Sequence, residues 1–337
     1  MPAPFAEILE TLAQGKDLTR EQAHEAFTVL MSGTLTPCQA GAFLMGLRAK
    51  GETATELAAG VQAILARSVL VDGVPAPSID VVGTGGDGRG SFNCSTSVAI
   101  TLAAMGHTVA KHGNRAVSST SGSADVVEGL GLGLADGPEK VRAQLAATNF
   151  SFMFAPYFHP AFKNIMPVRM ELGIRTLFNL MGPLLNPANP THQLLGVARP
   201  EILELVAEVL ALKGIRRAAV VYGAGGFDEL TTFGPAKVAW VENGSVAMTE
   251  LDPAELGFEP HDPADVVVKD KAQAVEIVRE LLAGRGPAAM RDMLILNLAM
   301  ALHLLEDGLG LPQAVEKARD AVADGVGMAV VNKANGA

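Results

Sequence analysis

Gly83-Thr84-Gly85-Gly86-Asp87-Gly88 places four glycines in six residues, a loop whose backbone amides can come close to an anion. Asn93, Ser95 and Thr96 follow where a helical pattern begins, and the N–H groups and positive dipole end of a helix start favour phosphate. Lys111-His112-Gly113-Asn114-Arg115 adds two cations and an amide, and Ser118-Ser119-Thr120-Ser121-Gly122-Ser123 adds a run of hydroxyls. Further along, Asp228-Glu229 supplies adjacent hard oxygen ligands, which beside a phosphate suit Mg²⁺. Taken singly, each is an ordinary tight turn, helix cap or solvated pair. Together they describe a site for a small phosphorylated ligand and a divalent cation.

The glycine run formally matches G-x-G-x-x-G, yet a dinucleotide fold would open its helix directly on the loop and place an acid about twenty residues on. Here the helix waits until Asn93 and the second strand ends in Lys111, so a hydroxyl clamp is replaced by a cation. No G-x-x-x-x-G-K-[ST] occurs, which removes the P-loop ATPases and kinases.

The elements that must carry these residues are legible from caps and periods. Thr19 with Gln22, Thr36 with Gln39 behind Pro37, and Thr53 with Glu56 are three capping boxes, each ahead of an apolar helical stripe. Val69 to Pro77 is rich in Gly and Pro and reads as a linker. After it strands and helices alternate: Ile79–Val82, a helix from Ser95, Thr108–Ala110, helices from Ala124 and Pro138, Phe150–Phe154, Leu194–Val197, a helix from Glu201, and Ala218–Tyr222. Asn243-Gly244 marks a type I′ hairpin, and helices return from about residue 271. The expected fold class is α/β, a mostly parallel sheet flanked by helices, with a smaller all-α N-terminal domain. Residues 1–74 form that helical domain, joined by about 166–187, and 75–165 with 188–337 form the α/β domain. The anion-binding loops then converge at the carboxyl edge of the sheet, where open α/β sheets take ligands.

Composition narrows the function classes. The 337 residues are 49% hydrophobic and 18% charged, which suits a packed globular chain of about two domains. The net charge of −10 argues against nucleic-acid or anionic-membrane binding, while residues 80–175 hold eight Lys/Arg against seven Asp/Glu, a balance suited to an anionic ligand. Two cysteines make no disulfide framework, and the apolar stretch Met293–Leu305 is short of a membrane span. No basic signal-peptide start is visible, so a cytoplasmic location is expected.

The loop Gly83–Asp87, the run Asn93–Thr96, Lys111 to Arg115, Arg169 and Asp228-Glu229, in this order, resemble the anthranilate phosphoribosyltransferases. The resemblance covers most of the chain and implies a nucleoside phosphorylase/phosphoribosyltransferase-like fold. It further implies a homodimer paired through the helical domain, Mg²⁺ as cofactor, as two ions, and phosphoribosyl transfer from 5-phosphoribosyl 1-diphosphate to anthranilate in tryptophan biosynthesis. By matching position, Gly83, Gly86, Asp87, Ser91, Asn93, Cys94, Ser95, Thr96, the run Lys111, His112, Gly113, Asn114, Arg115, Ala116, Val117, Ser118 and Ser119, and Ser123 would bind the donor. Gly83, Asn114 and Arg169 would bind anthranilate, and Ser95, Asp228 and Glu229 would hold the metal. No general base is assigned; His112 and His159 are the candidates, and His159 also reads as a core histidine.

Three positions depart from the family pattern: Gly225 where an Asp often stands, Cys94 where an aliphatic residue is usual, and Thr120 in a variable slot. Cys94 reads as a packing residue. Two same-fold alternatives are a pyrimidine nucleoside phosphorylase and a non-catalytic nucleic-acid-binding relative.

Overall fold

The computed structural model describes residues 5–115 and 121–336. Four helices come first: α1 (Phe5–Ala13), α2 (Arg20–Ser32), α3 (Pro37–Lys50) and α4 (Ala54–Leu65). All three capping boxes form, with Thr19, Thr36 and Thr53 accepting from the backbone N–H of Gln22, Gln39 and Glu56 and those side chains answering the cap backbone. Each such cap contributes about 1 kcal/mol. Ala23, Ala26, Phe27 and Leu30 form the buried stripe of α2, which packs on α4. Phe27 meets Phe43 of α3 edge to face with centroids 5.3 Å apart.

Beyond the linker the chain runs through β1 (Ser78–Gly83), α5 (Cys94–Ala104), β2 (Thr108–Gly113), α6 (Ser123–Gly129), β3 (Leu134–Ala135), α7 (Pro138–Thr148) and β4 (Phe150–Phe154). Three short helices, α8 (Ala155–Phe158), α9 (Met166–Leu172) and α10 (Phe178–Met181), lead to β5 (His192–Gly196), α11 (Leu203–Leu212) and β6 (Arg217–Tyr222). The hairpin β7 (Ala236–Glu242) and β8 (Ser245–Leu251) precedes four helices, α12 (Lys271–Leu282), α13 (Ala288–Leu305), α14 (Leu311–Ala323) and α15 (Met328–Ala334). The hairpin turns on Asn243 and Gly244 at φ 49° and 80°, the positive values a type I′ turn needs. The two-residue β3 is too short to carry a period and escapes a sequence reading.

The strands make one sheet in the order β3-β4-β2-β1-β5-β6-β7-β8. The pairs from β3 to β6 are parallel and β7 and β8 are antiparallel. From β1 the chain moves outward to β2 and β4, then returns to the other side of β1 as β5. The order therefore reverses between β1 and β5, and connections leave the carboxyl ends in opposite directions, opening a crevice.

Helix α13 has the length and apolarity of a membrane span, but 78% of it is buried in the protein and it packs against α5 and β5. Met290, Met293 and Met300 lie in this core. Asn297, the polar interruption, donates to the carbonyls of Leu230 and Met293 at 2.7 and 2.8 Å and accepts from Leu230 N–H at 3.1 Å. It thereby fixes the backbone directly after Glu229. Ile165, Val168, Leu177, Phe178, Met181 and Leu184 share one apolar cluster with α1–α4, which continues onto α11 and one face of β5, β6 and β7.

Candidate functional site

A cleft of about 1040 Å³ lies over the carboxyl ends of β1, β2, β5 and β6 and is closed on its other side by α3 and the 155–185 segment. Of the residues singled out from sequence, it brings together Gly83, Gly86, Ser95, Lys111, His112, Gly113, Asn114, Arg115, Ser123, Arg169, Asp228 and Glu229. Ala116, Val117, Ser118 and Ser119 lie outside the described residues, as does Thr120.

Asp228 and Glu229 follow the loop after β6 and are pressed into the sheet edge. Three glycines at strand ends make this approach fit. A β-carbon at Gly196 would run into the Asp228 carbonyl, one at Gly223 into the Glu229 carbonyl, and one at Gly83 into the Asp228 carboxylate. Asp228 Oδ2 accepts from Gly85 N–H at 2.7 Å, and Glu229 Oε1 from Ser95 N–H at 3.2 Å. Burial, and then the neighbouring Asp87 charge, pushes Asp228 up to about 7. Burial and the Asp228 charge raise Glu229 well above the usual carboxylate range. Asp87 Oδ2 and Glu229 Oε2 are buried without a hydrogen-bond donor. Crowded carboxylates with oxygens to spare match a hard divalent cation, which relieves the repulsion and fills the lone pairs. Among the described residues no three His, Cys, Asp or Glu side chains form a complete cage. Mg²⁺ needs none, since it takes one or two carboxylates together with water and substrate phosphate.

Lys111 is buried at the end of β2, its ammonium donating to the Val81 carbonyl and to Ser95 Oγ. Burial lowers its pKa, and Asp80 and Glu229 act against that drop. Ser95 therefore links the cation to the acidic pair, its hydroxyl taking the Lys111 ammonium and its backbone N–H donating to Glu229.

The side of the cleft that carries Arg169 is built differently. Arg169 on α9 lays its guanidinium over the Phe178 ring, 5.1 Å from the centroid, and pairs with no carboxylate among the described residues. His112 and His159 face each other with Nε2 atoms 3.1 Å apart, and Ser68 Oγ lies 2.7 Å from His159 Nδ1. Burial pulls the two imidazoles down to about 3 and about 4, so both stay neutral near pH 7 and are weak proton acceptors.

Several positions named from sequence do not reach the cleft. Cys94 is fully buried with Sγ toward the Met293 carbonyl, and burial raises its thiol pKa well above normal. Thr96 is buried too. Asn93 gives α5 no side-chain cap; its Oδ1 accepts from Ser121 Oγ at 2.7 Å, tying the two loops together. Ser91 bridges to Val267, and Asp87, within the glycine loop, sets its charge beside Asp228 without lining the cleft. The Arg115 guanidinium borders the cleft but is held by Glu128 at 2.6 and 3.0 Å and Asp125 at 3.1 Å. Its charge is spent on α6. Gly225, at φ 80°, adopts the left-handed backbone that Gly takes freely and Asp only occasionally. Two cleft residues that the motifs did not flag, Arg175 and Arg48, come from the segment that breaks the strand–helix alternation and from α3. A cation six positions after Arg169 was the available signal.

Residues 6–68 match the helical bundle domain of the glycosyl transferase family and residues 76–328 its a/b domain. Over 330 residues the chain is 60% identical to the anthranilate phosphoribosyltransferase of Nitratidesulfovibrio vulgaris, spanning 96% of this chain and 98% of that protein. The chain belongs to the anthranilate phosphoribosyltransferase family. It superposes on the anthranilate phosphoribosyltransferase of Thermus thermophilus with a TM-score of 0.88 at 36% identity, covering 96% of this chain and 97% of that one. The Saccharomyces cerevisiae anthranilate phosphoribosyltransferase in complex with PRPP and Mg aligns with a TM-score of 0.87 at 27% identity, over 98% of this chain and 96% of that one. The same yeast enzyme with 4-fluoroanthranilate gives 0.84 at 25% identity, over 99% of both chains. Membership sets aside the nicotinamide oxidoreductase, the nucleoside phosphorylase and the nucleic-acid-binding relative.

Proposed function

We propose that this chain transfers the 5-phosphoribosyl group of 5-phosphoribosyl 1-diphosphate to the amine of anthranilate. The observation that carries this is the charge gathered in one cleft: the glycine loop, Lys111 and the crowded carboxylates on its sheet wall, and the Arg169 guanidinium, laid on an aromatic ring, on its helical wall. The bond from ribose C1′ to the diphosphate oxygen breaks, the bond from C1′ to the anthranilate nitrogen forms, and the amine then gives up a proton. Charge grows on the diphosphate as it departs, and fixed amides of the glycine loop with Lys111 are placed to stabilise it. Mg²⁺ held there, one ion with help from Ser95 and one by Asp228 and Glu229, would supply further neutralisation of the leaving group. The anthranilate amine is neutral near pH 7 and needs no prior deprotonation, so Arg169 and the apolar cleft wall of Phe162, Phe178 and Leu185 act by holding it in line. Neutral, weakly basic His112 and His159 suit that wall.

The test is anthranilate fluorescence in the presence of the full chain. A decay that requires both the diphosphate donor and Mg²⁺ supports the assignment; a steady signal from folded protein sinks it. Arg169→Ala should raise the KM for anthranilate by about 30-fold, the loss of one charge-assisted bidentate contact, and leave the donor KM within about twofold. A selective rise in donor KM would reverse the assignment of the two walls.

We also propose that the helical part, residues 1–74 with 166–187, pairs two copies of the chain. Support comes from Met45 on α3 and Met166, Met170 and Ile174 on and after α9, apolar side chains left exposed where those helices meet, Met170 to 76%. Sedimentation of the full chain should give a dimer, and Met170→Glu a monomer; a dimer in both places the contact elsewhere.

A further inference from the structure

Gly85 and Gly86 are neighbours in the chain, yet they are gripped from opposite sides of the cleft. Gly85 N–H donates to Asp228 on the carboxylate side. The Gly86 carbonyl accepts from Arg175 Nη2 at 2.9 Å, and Arg175 belongs to the acceptor side. The contact is close enough that a β-carbon on Gly86 would lie 3.1 Å from the same nitrogen. Arg175 pairs with no carboxylate among the described residues, so the Gly86 carbonyl is its principal polar contact there.

The segment that carries Arg175 is well defined. Gly173 ends α9 at φ 61°, and Asn179 Oδ1 accepts from Thr176 N–H at 3.0 Å to start α10. Six positions before Arg175 stands Arg169, and three after it stands Phe178, the ring under the Arg169 guanidinium. One short stretch therefore holds the acceptor contacts and a hydrogen bond to the loop that faces the donor.

We infer that Arg175 is a positioning residue that couples the two substrate sites, an inference resting on the transfer reaction proposed above. An acceptor carboxylate bound by Arg169 steadies residues 169–179. Through Arg175 this steadies Gly86, and the loop amides then meet the diphosphate with less ordering left to do. The coupling is reciprocal: donor binding tightens the acceptor site by the same factor.

Calorimetry separates the terms. The affinity of the full chain for 5-phosphoribosyl 1-diphosphate with Mg²⁺ is measured alone and with saturating benzoate, which keeps the acceptor carboxylate and lacks the amine. The wild-type chain should bind the donor about fivefold to tenfold more tightly with benzoate present, the lower part of the usual range for coupled sites. Arg175→Ala should bring this factor to near one, and Arg175→Lys, which can still reach the carbonyl, should retain part of it. Arg175 is exposed, so these variants keep the fold, and an unchanged melting temperature with altered coupling separates positioning from structural support. Equal coupling in wild type and Arg175→Ala, or no coupling in wild type, overturns the inference. Failure of the underlying reaction looks different: wild-type protein then leaves anthranilate fluorescence untouched.

Discussion

Lys111→Met should lower kcat/KM for the diphosphate donor by about 10²–10³-fold, the usual cost of removing one preorganised donor from a developing anion. The expectation follows from burial. At 1% exposure the ammonium is shielded from bulk water, so its field reaches the cleft with little screening. The substitution also leaves Ser95 Oγ and the Val81 carbonyl without their donor and deprives Glu229 of a neighbouring positive charge. Methionine keeps the length and apolar stem, and a thermal melt of the variant separates the lost donor contact from the stability lost at Ser95, Val81 and the buried Asp80. Steady-state kinetics with each substrate varied in turn is the measurement. A loss below tenfold, or one confined to the anthranilate KM, would remove Lys111 from the donor site.

Asp228→Asn combined with Glu229→Gln should raise the Mg²⁺ concentration for half-maximal turnover by about 100-fold, since both hard anionic ligands become neutral amides. Stability gives a second readout. A carboxyl whose pKa rises on folding costs stability as the pH climbs from its unfolded value of 3.8 to its folded value of about 7, and the cost is complete above that. At pH 8 without metal, the double variant should therefore melt several degrees above the wild-type chain. Adding Mg²⁺ should raise the wild-type melting temperature and leave that of the variant alone. A metal-free variant that melts below wild type, or a metal response preserved in both, would place the ions elsewhere.

The capping boxes at Thr19, Thr36 and Thr53 and the Asn243-Gly244 turn were legible because each is a local hydrogen-bond pattern written within a few residues. The glycine loop and the Asp228-Glu229 pair were legible because they sit at strand ends, where parallel sheets expose their chemistry. What contiguity hid is direction. Consecutive residues of a helix point about 100° apart, so of Asn93 to Thr96 only Ser95 reaches the cleft, while Cys94 and Thr96 turn inward. Arg115 stands beside the anion loops in sequence, but α6 brings Glu128 and Asp125 to it first. Arg175 and the meeting of Ser95 with Glu229 depend on contacts across 89 and 134 positions, which no local pattern encodes.

The seat of the acidic pair has an evolutionary corollary. Gly83, Gly196 and Gly223 contribute no functional group, yet a single methyl at any of them would collide with the Asp228-Glu229 segment. The geometry of the proposed metal seat is thus written into three hydrogens where side chains would otherwise begin. Descendants of this chain can exchange the groups around that seat and drift in substrate preference, but the seat itself offers no neutral step away from glycine.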